Sequence, residues 1–160
     1  MKVLGIDPGT GRMGWAIVEK LKGKESLIDC GCLETPAHTP LPIRLEKIYN
    51  FLKKLIAKHK PEAASIEDLF FSKNQKTVMS VGAARGVIIL VCKQAKLNIK
   101  LYTPLQIKSS IAGYGQADKK QVQFMVKNLL KLDKPPEPDD AADAAAAALT
   151  HMSRVTSFHA

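Results

Sequence analysis

The chain has 160 residues, 46% of them apolar, which is globular rather than disordered and fits a single domain spanning 1–160. Twenty-four basic against fifteen acidic side chains give +9 and a pI near 9.5, a balance that favours polyanions, nucleic acid first among them. A lysine-biased proteome gives the same charge, since 20 of the 24 are lysine. Cys30, Cys32 and Cys92 form neither a disulfide framework nor a zinc knuckle. With no signal-peptide pattern at the start and no apolar run judged long enough to cross a bilayer, the expectation is a cytoplasmic protein without a membrane.

Residues 2–7 predict a first strand, and Met13–Val18 and Ser26–Leu33 predict two more across a turn-like Lys20–Lys24. Such short connections suit antiparallel neighbours. Leu41, Leu45, Ile48, Leu52, Leu55 and Ile56 recur at helical spacing, with lysines off that stripe. Ala63–Ile66 is a short strand stopping at Glu67. The segment from Lys73 to Ala95 is a helix apolar around much of its circumference, either the central core helix or one with a face for a partner subunit. Lys100–Thr103 is a fifth strand, Val122–Leu130 another helix, and after three prolines a last helix begins at Asp139–Asp140. The order β-β-β-α-β-α-β-α-α predicts an α/β fold: a five-stranded mixed sheet, antiparallel over its first three strands and parallel afterwards, with helices on both faces.

Four acids share one kind of position. Asp7 ends the first strand, Glu67 ends the fourth, and Asp140 and Asp143 share a face in the first turn of the last helix. Singly each has an ordinary explanation: a turn before Pro8-Gly9, a solvated strand end, a helix cap. Together they are costly unless a cation neutralises them, and hard carboxylate oxygens suit Mg²⁺, with Mn²⁺ able to substitute. Two such ions clamp the oxygens of a phosphodiester displacement, so four acids in a basic chain form a nuclease-like combination. The Ala-rich stretch 141–148 would let the last helix approach the sheet closely.

Around the acids, Phe70 in a polar loop could stack on an unpaired base, and Phe71 or Leu69 could equally be core. Lys73 and Lys76 open the next helix and could meet phosphate or water. Lys108 and Lys119 flank Gly113-Tyr114-Gly115, where they could hold a phosphate backbone or simply be solvated. Arg85 could pair with an acid in the core or across an interface. Trp15 reads as core.

Gly5-Ile6-Asp7-Pro8-Gly9, Ile66-Glu67, Phe70–Asn74, Gly82-Ala83-Ala84-Arg85-Gly86 and Asp140-Ala141-Ala142-Asp143-Ala144 resemble, in order and spacing, the RuvC Holliday-junction resolvases. The resemblance covers about residues 1–152. It implies an RNase H-like fold, a homodimer, and Mg²⁺-dependent endodeoxyribonuclease activity that nicks two symmetric strands of a four-way DNA junction in recombination and repair. It also implies partnership with the RuvAB branch-migration complex. Carried residue by residue, the catalytic and metal-holding acids fall on Asp7, Glu67, Asp140 and Asp143. The base-contacting aromatic falls on Phe70 and the phosphate-region lysines on Lys108 and Lys119. Asp139 stands beside Asp140, and only the Asp-Ala-Ala-Asp match favours Asp140.

Three alternatives remain on sequence. An ATPase of the actin and sugar-kinase type shares the first strand-Asp-Gly-Thr pattern but needs a second lobe and a second phosphate loop. Another RNase H-like nuclease, of the RNase H or transposase type, would keep the chemistry and change the substrate. A junction binder without catalysis would not need all four acids.

Overall fold

The computed structural model describes residues 1–68 and 75–157, with side chains for 1–68 and 77–155. Strands β1 (Lys2–Asp7), β2 (Arg12–Leu21) and β3 (Lys24–Glu34) form an antiparallel meander. Helix α1 (Leu41–His59) leads to β4 (Ala63–Glu67), which lies parallel to β1, and α2 (Gln75–Gln94) leads to β5 (Asn98–Tyr102), parallel to β4. The sheet order is β3-β2-β1-β4-β5. Helices α3 (Pro104–Ala112), α4 (Lys119–Leu129) and α5 (Asp139–Ser157) follow.

The period of two along each strand divides the core. Leu4, Ile6, Ile17, Ala64 and Ile66 point to one face, where Ile48, Leu52 and Leu55 of α1 and Ile88, Val91 and Cys92 of α2 cover them. Val3, Ala16, Val18 and Ala63 point to the other, covered by α3, α4 and the buried alanines of α5. Helices therefore flank both faces, as the strand and helix pattern predicts.

Helix α5 lies almost on the sheet. A methyl group on Gly5 would stand 1.9 Å from the Ala144 carbonyl oxygen, so only glycine at this place in β1 admits the helix backbone. Ser65 of β4 donates its hydroxyl hydrogen bond to the Ala147 carbonyl at 2.5 Å, fixing the helix one strand further on. The close approach expected from the alanine run is thus met by small residues on both partners.

Several expectations are changed or narrowed. A helix, α3, occupies Pro104–Ala112, where the sequence reading ended a strand and began a loop. Its start was written in the chain: Thr103 accepts from the Gln106 amide while the Gln106 side chain accepts from the Thr103 amide, with Pro104 at the first helical position. Of the two readings left open for α2, that of a central core helix is excluded. Ala84, Ile88, Val91 and Cys92 are buried, whereas Met79 and Leu90 are exposed, and extra methyl groups on Gly82 and Gly86 would meet nothing within 4 Å among the described residues. Thr77–Gln94 is also apolar enough by length and composition to cross a membrane, mean hydropathy 1.3 over 18 residues, despite Arg85 and Lys93 within it. Trp15 is only half-buried, packed against the edge of the α1-side core with its ring tilted against Phe51 at 5.7 Å.

Candidate active site

Strand parity assembles the acids. Gly5 pairs with Ser65 and Ile6 with Ile66 in the parallel β1–β4 ladder, so the next residues along the two strands are Asp7 and Glu67. Both share the parity of Val3 and Ala63, and so aim at the α5 face. Helix α5 begins there, with Asp140 and Asp143 on its first turns.

These carboxylates are crowded and largely withdrawn from water. Burial is the main cause that pushes the Asp7 carboxyl up to about 8, with Glu67, Asp143 and Asp140 repelling its negative form. The Glu67 carboxyl is raised as well, chiefly by burial, and it accepts a hydrogen bond from Asp7. Asp7 is therefore the member of the pair that keeps the proton. Asp143 is raised by burial against the opposing pull of Lys119.

Two cations stand at the margins. Lys119 of α4 lies 2.7 Å from Asp139 and 3.1 Å from Asp143, and its ammonium is held charged first by the Asp139 hydrogen bond. Arg12, at the start of β2, donates from Nε and Nη2 to one oxygen of Asp140 at 2.9 and 2.8 Å, and from Nη1 to Glu34. Asp139 and Asp140 are thus distinguished: Asp139 is exposed and faces Lys119, while Asp140 turns to the sheet side.

A groove of about 280 Å³ opens beside the acids between α3 and α4, lined by Glu67, Asp143, Lys108 and Lys119 among others. The structure thus brings Asp7, Glu67, Asp140, Asp143, Lys108 and Lys119 to one end of the sheet. Phe70 and Lys73 lie outside the described residues, as do Phe71, Leu69 and the side chain of Lys76.

The donor chemistry fits a hard divalent cation: four oxygen-bearing side chains, several of them buried and carrying more repulsion than two marginal cations relieve. As the side chains stand, no three acids, histidines or cysteines among the described residues enclose a single ion. Asp140 is turned to Arg12 and Asp143 to Lys119.

Sequence reasoning missed Arg12, Glu34 and Cys32. Arg12 pairs with Glu34, and Gly14 pairs with both Asp7 and Cys32, so one parity puts all of them on the α5 face. The Cys32 thiol is pushed up first by burial and then by Asp140. Counting outward from Asp7 through Gly14 gives the parity of Arg12, but Glu34 and Cys32 follow only from the β2–β3 register, which shifts between Ile17 and Val18.

Arg85 pairs through Nη2 with Asp68 at 2.7 Å, which answers where it finds an acid, while its buried Nε has no hydrogen-bond partner among the described residues. Asp68 follows Glu67 directly, and its amide donates to the Tyr102 carbonyl at 2.7 Å. On the other side, Thr10 after β1 donates to Ser80 of α2 at 3.1 Å. Helix α2 is tied in this way to the exits of both acid-bearing strands.

A mixed sheet in this order, with strand-end carboxylates meeting the first turn of the last helix, defines an RNase H-like nuclease. The family model described as crossover junction endodeoxyribonuclease RuvC matches residues 3–151. A crossover junction endodeoxyribonuclease RuvC of Roseiflexus sp. (strain RS-1) is 51% identical over 150 residues, 94% of this chain and 89% of that protein. Its counterpart in Caldicellulosiruptor saccharolyticus is 51% identical over 153 residues, 95% and 92% of the two chains. The solved structure of Thermus thermophilus RuvC in complex with Holliday junction substrate superposes with a TM-score of 0.93 at 32% identity, covering 99% of this chain and 96% of that one. The chain belongs to the RuvC family of crossover junction endodeoxyribonucleases, and the RNase H, transposase, ATPase and non-catalytic alternatives are set aside.

Proposed function

We propose that this protein nicks two symmetric strands of a four-way DNA junction, using Asp7, Glu67, Asp140 and Asp143 to hold Mg²⁺, two ions per site, with Mn²⁺ able to substitute. The observation that carries this is the convergence of two strand-end acids with two helix acids, a buried cluster in which Asp7 still holds a proton at neutral pH. When bound, divalent ions supply an acidified attacking water and neutralise charge at the phosphate. The protein's part is to present the carboxylates and exclude bulk water. Asp7 must lose its proton to act as a ligand, and Glu67, its hydrogen-bond partner, is placed to share the resulting charge. Lys108 and Lys119 line the adjoining groove, where they hold the DNA backbone beside the acids. Phe70 stacks on a junction base, and Lys73 and Lys76 contact phosphates.

Symmetric cutting calls for two copies related by a two-fold axis. The exposed face of α2, with Met79, Gly82, Gly86 and Leu90 at helical spacing, suits a second copy of the same helix, because two glycines let the backbones approach. The assembly works on junctions in the cytoplasm, fed by the RuvAB branch-migration complex, as in the family's resemblance.

Incubating the purified protein with labelled four-way junction, linear duplex and RNA–DNA hybrid, with and without Mg²⁺, tests the reading. Paired nicks in the junction alone, only with Mg²⁺, are expected; equal cutting of the hybrid would contradict it.

A further inference from the structure

Arg12 is held at both ends. Two of its nitrogens converge on Oδ2 of Asp140, at 2.9 and 2.8 Å. Its third nitrogen reaches Glu34, the residue paired with it across the β2–β3 ladder. A cross-strand ion pair thus extends by one contact onto an acid of the candidate metal set.

We propose that Arg12 is a resident countercation that competes with the divalent ion for Asp140, and so sets how much metal the site needs. The inference rests on the metal reading above. Without metal, the acids crowd one end of the sheet, and Asp140 is among the groups that disfavour ionised Asp7. Arg12 takes that carboxylate's charge into a pair with Glu34 at its back, so the metal-free fold tolerates the cluster. The guanidinium is about half exposed (side chain 47%) and Glu34 more so (66%), so the contact is a weak, screened one that a divalent ion can displace. Lys119 plays the same electrostatic part for Asp143, but it also lines the groove and serves the substrate. Arg12 does not line that groove; it stands on the far side of Asp140, beside Glu34 and Thr35 in a separate surface hollow.

A merely orienting arginine would give the opposite sign. If Arg12 served to aim Asp140 at the metal, removing it would loosen metal binding. If Arg12 competes, removing it tightens binding and destabilises the metal-free fold.

The test is Mn²⁺ titration of the full chain, following free Mn²⁺ by electron paramagnetic resonance, together with the metal-free Tm. Arg12→Gln should bind Mn²⁺ roughly two- to fivefold more tightly, the size set by a partly exposed ion pair. Its metal-free Tm should fall, and the affinity gap should close near 1 M salt, where screening reaches about 3 Å. Arg12→Lys keeps the charge but cannot put two donors on Asp140 while reaching Glu34, so it too should bind more tightly than wild type. Unchanged or weaker binding by Arg12→Gln overturns the proposal, and wild-type binding by Arg12→Lys overturns the two-ended tether. Asp7→Asn is the control. Loss of Mn²⁺ binding there confirms that the ion occupies this site, whereas unchanged binding removes the metal reading and the competition with it.

Discussion

Gly14 of β2 and Asp140 of α5 meet backbone to backbone: a methyl group on Gly14 would lie 2.0 Å from the Asp140 carbonyl oxygen. The same glycine pairs with Asp7 across the β1–β2 ladder. One residue without a side chain therefore brings the first strand's acid and the last helix's acid together. Gly14→Ala must push the start of α5 off the sheet. We expect a loss of about 3 kcal/mol or more in urea unfolding, at the upper end of overpacking costs, and a larger loss of junction cleavage than of junction binding. Wild-type stability would show that α5 slides without cost.

The pH dependence of the metal-free protein has a definite sign. Asp7 titrates near 3.8 when unfolded and about 8 when folded, so between those values the folded state binds more protons than the unfolded one. Stability contributed by protonated Asp7 is complete below the unfolded value and is lost as pH rises through about 8. Tm should accordingly fall between pH 5 and about 8 in chelator, less steeply in Asp7→Asn, which should melt about 3–6 °C higher than wild type at the alkaline end. Saturating Mg²⁺ should restore the wild type and leave Asp7→Asn almost unmoved.

Leu90 is half exposed on α2, beyond the side that packs on α1 and the sheet. Leu90→Glu should leave the monomer folded and break the proposed two-fold association, seen as a halved mass in sedimentation. Coupled loss of paired nicking is expected; a dimer of unchanged stability would place the interface elsewhere.

Much of this was legible in the chain and some was not. Alternation in β1 and the apolar rhythm of α1 are local signals, and they predicted the sheet and its coverings. The four acids were legible as a set because Asp7 and Glu67 end strands and Asp140 and Asp143 lie in the first two turns of α5, and element ends are what sequence patterns mark best. Helix α3 is legible too, in the capping box of Thr103-Pro104-Leu105-Gln106, but it lies between a strand's end and a glycine-flanked lysine loop, whose loop-like pattern masks it. Arg12 and Glu34 were hidden for a different reason: their meeting depends on register between strands, with a shift between Ile17 and Val18, and no local pattern fixes that. The half-covered state of α2 depends on what packs against it, which composition alone cannot give.

The groove lysines carry a salt signature. Lys119→Met should weaken junction binding and lower the slope of log affinity against log salt by about 1, because one fewer phosphate contact releases one fewer counterion. Because Lys119 also holds Asp139 and Asp143, its cleavage defect should exceed its binding defect. An unchanged slope would remove it from the DNA interface.

Asp7 is proposed as a metal ligand rather than a turn residue. The most direct measurement compares Asp7→Asn with wild type on a labelled four-way junction in Mg²⁺, scoring binding by mobility shift and strand scission in the same samples. Binding within about twofold of wild type and scission reduced by roughly 10³ or more are expected if the carboxylate holds the metal. Scission at the wild-type rate would contradict the site as described.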